Sequence, residues 1–219
     1  MTPMVTKLCF PCVGLVTVLA TGPAVLNAER VADDVRGAID VLLTTAPGLS
    51  ASARASMIDE ASMIWRQHGV EIRWLPPAAV RPIASNRLRV LIVQKRLSVD
   101  STAEPVAIGE LVQPATGHPV ALISIEGAQQ LMSSVRGRAG YALIAVDERR
   151  LSMVLGRALA HEIGHYLLGT RTHARKGLMR PNFNALEFTD VRSGTFELDH
   201  DAVTWLHSGS DEKFAYAHR

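Results

Sequence analysis

The segment ERRLSMVLGRALAHEIGHYLL, residues 148–168, constrains the fold of this 219-residue chain more than any other. Its apolar residues fall around most of a helical circumference, which is the pattern of a helix buried on nearly all sides. Such a helix must be covered by other layers of structure, so we expect it near the centre of a domain. Gly169 predicts its end, because glycine readily takes the left-handed conformation that reverses a chain.

The C-terminal half of this apolar helix carries His161, Glu162 and His165. Histidines four residues apart lie on one helix face about one turn apart, so their two imidazoles can meet one zinc ion. Glu162 is turned about 100° from His161 and points beside the ion, where it suits a general base acting on a zinc-bound water. The alternative, a solvated face with two histidines, is disfavoured because buried histidines need partners.

A third ligand is predicted at His173, four residues after Gly169. A turn at the glycine would bring the His173 ring back toward the first two, and three neutral nitrogens plus water form the open tetrahedral site of catalytic zinc. The alternative for His173 is a surface-loop histidine between two arginines. In that case a later residue would complete the site, and the candidates are Glu187, Glu197, Asp199, His200 and Asp201.

The run HEIGH at residues 161–165, with Gly169, His173 and the GLM of residues 177–179, resembles the metzincin metallopeptidases, and the matrixin branch most of all. The resemblance implies that His161, His165 and His173 bind Zn²⁺, that Glu162 is the general base, and that Met179 forms the Met-turn beneath the metal. It also implies that a peptide substrate lies antiparallel to an edge strand, which it places within residues 118–126.

The chain departs from the family pattern H-E-x-x-H-x-x-G-x-x-H. One additional residue precedes Gly169 and another precedes His173, so the turn must be wider. Arg180 stands where matrixins commonly have tyrosine, and Arg180 or Arg192 could favour acidic residues in the substrate. Met179 has an alternative role as a filler of the core. Tyr166 could orient substrate or pack in the core.

The rest of the chain predicts an α+β fold of metzincin-like type, a mixed, twisted, mostly non-crossing sheet with an active-site helix and a C-terminal helix. Helices are expected at 52–68 and 198–206, and a short helix or turn at 127–135. Strands are expected within 69–77, 87–94 and 120–126, with 107–112 extended and a last strand near 141–148. The period of Val31, Val35, Ile39 and Leu42 predicts a helix over 29–48, either a small pro-segment or the first helix of the domain.

The first 28 residues have the pattern of a signal peptide. Lys7 precedes an apolar run from Leu8 to Ala20, and small residues precede a cleavage position after Ala28. An uncleaved membrane anchor is the alternative. Cys9 and Cys12 are the only cysteines and both lie in this segment, so a mature chain would bind metal through nitrogen and oxygen alone. The predicted organisation is therefore a signal peptide at 1–28, a helix or pro-segment at 29–50 and a catalytic domain at 51–219.

Charge and composition exclude some classes of partner. With 23 basic and 21 acidic residues, the chain has no excess charge that would favour nucleic acid, nor stable membrane association once the signal is removed. The sequence favours a secreted or periplasmic zinc endopeptidase acting on proteins or peptides. The alternatives are a metal-binding or interaction module without catalysis, and a zinc hydrolase of a non-peptide amide. The oligomeric state stays open.

Overall fold

The computed structural model describes residues 37–76, 87–97, 107–114, 118–134, 146–190 and 196–207. Five strands and five helices lie in these ranges. In chain order they are β1 Gly37–Thr45, α1 Ala51–Arg66, β2 Val70–Leu75, β3 Arg87–Val93, β4 Gly109–Val112, β5 Val120–Ser124, α2 Ile125–Ser134, α3 Glu148–Leu168, α4 Ala185–Thr189 and α5 His200–His207. The predicted signal peptide lies outside the described residues, as does most of the strand expected near 141–148, of which residue 148 begins α3.

The helix predicted over 29–48 is wrong for its second half, because residues 37–45 form strand β1. Ile39, Val41 and Leu43 are buried at alternate positions, which is the two-residue period of a strand. β1 pairs on both sides, with β2 and β3, so the sheet begins before the predicted domain boundary at residue 51. A pro-segment that included residues 37–45 could not be removed without removing an interior strand.

The five strands form one mixed sheet in the order β2-β1-β3-β5-β4. Four strands are parallel, and β4 alone runs antiparallel, at the edge beside β5. Parallel neighbours need crossover connections, so the expectation of a mostly non-crossing sheet is wrong. The α+β class, the mixed sheet, the central helix α3 and the C-terminal helix α5 are confirmed. β3 is an interior strand, as its apolar run predicts.

Helix α3 packs against α1 and against β4 and β5, so it lies between the other helices and the edge of the sheet. Gly156 allows the close approach of α1, since a Cβ there would lie 2.7 Å from the Met57 carbonyl oxygen. Trp65 Nε1 donates to the Ala160 carbonyl across a distance of 3.0 Å. These contacts fix the orientation of α3 and leave its His161 face turned toward a cleft.

The buried Arg157 connects α3 both to α1 and to the C-terminal part of the chain. Arg157 Nε lies 2.6 Å from Glu60 Oε1 on α1, and Arg157 Nη1 donates to the Phe188 carbonyl at 2.8 Å. The guanidinium also stacks over the Phe196 ring, 4.5 Å from its centroid. Residues 35–219 make one compact unit. Among the described residues, no helix has both the length and the apolar character needed to span a membrane.

Candidate metal centre

The two histidines of α3 are oriented by backbone carbonyls. His161 Nδ1 lies 2.7 Å from the Leu178 carbonyl oxygen, and His165 Nδ1 lies 2.8 Å from that of Thr170. Because a carbonyl only accepts, each Nδ1 carries the proton and donates, and each Nε2 keeps its lone pair for another partner. This is the outer hydrogen-bonding arrangement that metal-ligating histidines ordinarily have.

His173 reaches the other two histidines through a turn that begins at Gly169. Gly169 ends α3 in the left-handed region with φ +59°, and the Thr170 N–H donates to the His165 carbonyl at 3.2 Å. Further along, the Ala174 N–H donates to the Met179 carbonyl at 2.8 Å, which closes the loop that carries His173. The loop accommodates both additional residues and still returns the His173 ring to α3.

The three rings converge. The His161 and His165 ring centroids lie 4.6 Å apart, and His173 lies 5.4 Å from the first and 4.9 Å from the second. One nitrogen from each ring falls within 4.8 Å of the other two. Three neutral imidazole nitrogens at this spacing, with one side open, suit a zinc ion with a free fourth position. The structure therefore brings together all three predicted ligand side chains.

Burial keeps these imidazoles in the neutral form that binds metal. It lowers the pKa of His161 to about 4, assisted by the neighbouring His165 and His173 and opposed by the Leu178 carbonyl. Burial also lowers the pKa values of His165 and His173 below the ordinary value for histidine. At neutral pH the three rings therefore need not lose protons when a cation binds.

Glu162 lies beside the histidines against strand β4. Its side chain is buried, and burial together with the charge of Glu110 raises the pKa of Glu162 to about 8, while a hydrogen bond from the Leu111 N–H lowers it. A carboxyl with a pKa this close to neutral can both take up and release a proton. This is the property expected of a general acid–base group.

The histidines and Glu162 open into a cleft of about 440 Å³. Strand β4 forms one wall, from Gly109 to Leu111. Residues 180–183 and Phe188, which follow the predicted Met-turn, also line the cleft. Phe183, Phe188 and Phe196 pack together there, with ring centroids 5.0–5.5 Å apart. The cleft therefore combines the polar histidines and Glu162 with an apolar surface formed by Phe183 and Phe188.

Met179 lies beneath the histidine helix. It is buried, and its sulfur packs so closely on Gly164 that a Cβ at residue 164 would overlap it. Gly177 begins this turn with φ +73°, and a Cβ there would overlap the Glu197 carbonyl oxygen. The Leu178 N–H donates to that same carbonyl at 2.7 Å. The turn at 177–179 thus holds both the Leu178 carbonyl against His161 and Met179 against α3.

Two of the alternative third ligands, Glu187 and Asp199, have partners elsewhere. Glu187 Oε1 lies 3.0 Å from Arg180 Nη2, and Glu187 also forms a capping box with Asn184 at the start of α4. Asp199 Oδ1 accepts from the Ala202 N–H at 2.8 Å and caps α5. Within the described part of the chain, the three histidines are the only group of three such side chains close enough to share an ion.

Two further predictions concern substrate contacts. The edge strand at the cleft is β4, and the strand expected in that role, within 118–126, is the interior strand β5, so that expectation is wrong. The sequence predicts extended structure at residues 107–112, where β4 lies, but the four residues GELV do not indicate that this strand is at an edge.

Tyr166 packs in the hydrophobic core, and burial raises its pKa to about 12. Arg192 lies outside the described residues.

The fold is similar to two solved structures. Archaemetzincin from Methanopyrus kandleri aligns with a TM-score of 0.49 and 13% identity, over 81% of this chain and 96% of that chain. A zinc-dependent peptidase from Methanocorpusculum labreanum aligns with a TM-score of 0.48 and 16% identity, over 76% of this chain and 100% of that chain. No family model and no curated protein sequence matches this chain.

Proposed function

We propose that this chain is a zinc-dependent peptidase, and specifically an endopeptidase. The observation that carries the proposal is the convergence of His161, His165 and His173 within 4.8 Å, at the base of a cleft that also holds Glu162. A structural zinc site ordinarily has four protein ligands, whereas this cluster has three and opens to the cleft. A module without catalysis would have no need of a buried carboxyl beside the open position.

In this proposal the histidines, two backbone carbonyls and Glu162 have separate roles. Nε2 of His161, Nε2 of His165 and one ring nitrogen of His173 would hold the ion. The Leu178 and Thr170 carbonyls keep the His161 and His165 rings in the required tautomer. Zinc held there would supply Lewis acidity, which would lower the pKa of the attacking water toward about 7. Glu162 takes the proton of that water and returns it to the leaving amine.

The environment of Glu162 suits this cycle. Burial favours the protonated carboxyl, and a nearby cation favours the carboxylate, so the two effects oppose each other in the loaded site. A group balanced in this way transfers a proton in both directions without a large energetic penalty. Its low exposure also excludes bulk water from the proton transfer.

The proposed substrate is an extended peptide. The antiparallel edge strand β4 lines the cleft, and an exposed sheet edge can receive a further strand through main-chain hydrogen bonds. The apolar wall of Phe183 and Phe188 would accommodate a side chain of that peptide on the other side of the histidines. A small non-peptide amide would use neither the strand edge nor this wall.

The test is a comparison of zinc-loaded chain lacking residues 1–28 with its Glu162→Gln and Glu71→Gln variants on casein. Glu71 is exposed on β2, away from the cleft, so Glu71→Gln is the matched control. We expect hydrolysis by the wild type and the control, loss on chelation, recovery with zinc, and loss in Glu162→Gln at unchanged zinc content. Zinc binding without hydrolysis of casein or peptides by the wild type would contradict the proposal.

We also propose export of the chain by its N-terminal segment. The support is the sequence alone, namely the apolar run from Leu8 to Ala20 and the small residues before the cleavage position at Ala28. N-terminal sequencing of the chain recovered outside the cytosol is expected to start at residue 29. Recovery of the chain in the cytosol with its N-terminus intact would contradict export.

A further inference from the structure

Strand β4 approaches Glu162 more closely than any residue with a side chain could. A Cβ built at Gly109 would lie 2.5 Å from Glu162 Oε1, 2.8 Å from Cγ and 3.0 Å from Cδ. These three atoms are the nearest neighbours of that position, and all belong to the one side chain. The Glu162 carboxyl group therefore packs against β4 at the point where the strand has no side chain.

The hydrogen-bonding pattern of β4 adds a second contact. Ser124 N–H donates to the Ile108 carbonyl at 2.7 Å, and Gly109 pairs with Ile123, so residues 108 and 110 bond to β5. In an antiparallel pair the alternate residues then direct their peptide groups away from the partner strand, and here these are Gly109 and Leu111. The Leu111 N–H donates to the Glu162 carboxyl group from this outer edge.

We propose that Gly109 and the Leu111 N–H form a cradle that positions the Glu162 carboxyl group for proton transfer. Gly109 gives the carboxyl group room above the strand, and the Leu111 N–H fixes its rotation. Both are positioning elements and neither touches the metal. The inference rests on the proposed function, and it assigns to the edge strand a role beyond receiving substrate.

Glycine is required at residue 109 because the nearest atoms to an added Cβ all belong to the Glu162 side chain. A methyl group at this position must displace Glu162, since the strand backbone is fixed by pairing with β5. A displacement of about 1 Å from the reacting position can cost on the order of 100-fold in turnover. The histidines lie on α3 and on the loop after it, so zinc binding should not change.

The experiment uses zinc-loaded wild type, Gly109→Ala, and the control Gly37→Ala, a strand glycine around which a Cβ meets nothing within 4 Å. With a fluorogenic peptide, we expect Gly109→Ala to lose about 100-fold in kcat, with KM and zinc affinity unchanged. Leu111→Pro removes the N–H without removing a bond to β5, and we expect it to lower kcat in the same way. A kcat equal to that of the wild type in Gly109→Ala would overturn the inference. A kcat equal to that of the wild type in Leu111→Pro would show that the Leu111 N–H does not position Glu162.

A stability comparison separates positioning from general damage. Gly109→Ala is made both in the wild type and in Glu162→Ala, where the clashing carboxyl group is gone. We expect Tm to fall by about 3–6 °C in the first background and to stay constant in the second. An equal fall in both backgrounds would overturn the inference. If the wild type bound zinc without cutting peptides, the proposed function would fail, and this comparison would still decide whether Gly109 accommodates Glu162.

Discussion

The sulfur of Met179 lies against the backbone of Gly164. This glycine lies between His161 and His165 in the sequence of α3. A Cβ at residue 164 would overlap the sulfur and would lie 3.1 Å from the Met179 Cε and 3.3 Å from Trp65 Cζ2. The glycine of the HEIGH run is therefore the place where the turn at residues 177–179 packs against the helix. This contact links the stability of the helix to the position of the turn that follows His173.

Gly164→Ala should weaken both the fold and the metal site. The methyl group must move Met179, and overpacking of this kind costs about 1–3 kcal/mol. Because Met179 follows the Leu178 carbonyl that orients His161, we expect zinc affinity to fall on the order of 10-fold. Urea unfolding and zinc titration measure the two effects, with Gly37→Ala as control. Unchanged stability and unchanged zinc affinity would show that the contact is not important.

The two left-handed glycines near the site should respond differently to alanine. Gly169 has φ +59° with open space around it, so Gly169→Ala should cost about 1 kcal/mol for the backbone conformation alone. Gly177 has φ +73°, and its Cβ would also overlap the Glu197 carbonyl oxygen. We expect Gly177→Ala to lose more stability and to lower zinc affinity, because Leu178 must shift. Equal losses in stability by urea unfolding would contradict this assignment.

The stability of the metal-free chain should depend on the protonation of Glu162 at pH values below about 8. Its pKa is raised to about 8 in the folded state, so the folded chain binds the proton more tightly, and this stabilisation is lost as pH rises toward 8. The histidines have lowered pKa values, so their contribution is lost as pH falls below about 6.5 and it opposes the Glu162 effect there. Between about pH 6.5 and 8 the glutamate should dominate.

We therefore expect the free energy of unfolding of chelated wild type to fall between pH 6.5 and 8, by at most about 1.4 kcal/mol per pH unit. Glu162→Gln should remove this dependence, because a glutamine has no proton to lose. Saturating zinc should also reduce it, since a cation favours the carboxylate. Urea unfolding at several pH values provides the measurement. The same pH dependence in Glu162→Gln would show that another group is responsible.

Much of the site could be predicted because its information is local in sequence. Helix α3 is predicted at residues 148–168 and has those bounds, since its apolar circumference and its C-terminal Gly169 are both evident in the sequence. The relation of His161 to His165 follows from helix geometry alone. The position of His173 depended on a loop, and the structure brings its ring to the other two despite the wider spacing.

The edge strand and the first strand could not be predicted in the same way. The buried residues of β1 alternate, but the sequence around them also fits a helical period, and only pairing with β2 and β3 decides between the two. The cradle formed by Gly109 and Leu111 depends on the register between β4 and β5. No local pattern in a four-residue strand specifies which side chain will come to lie on its glycine.

Substrate preference should depend on the ion pair between Arg180 and Glu187. Arg180 lines the cleft and stacks on Phe183 at 4.3 Å, and its Nη2 lies 3.0 Å from Glu187 Oε1. The carboxylate offsets the arginine charge, so we expect the wild type to show little preference for acidic residues. Glu187→Gln should raise cleavage of peptides with an acidic residue on this side, measured as kcat/KM against neutral peptides. An identical ratio in the two enzymes would exclude Arg180 from specificity.

The most direct test of this account is zinc titration of His161→Ala, His165→Ala and His173→Ala, with His200→Ala and Glu187→Ala as matched controls from the alternative ligand set. We predict that the wild type binds one zinc ion per chain, that each of the first three variants loses most of its affinity, and that both controls keep it. Wild-type affinity in His173→Ala, or loss of affinity in Glu187→Ala or His200→Ala, would contradict the three-histidine centre.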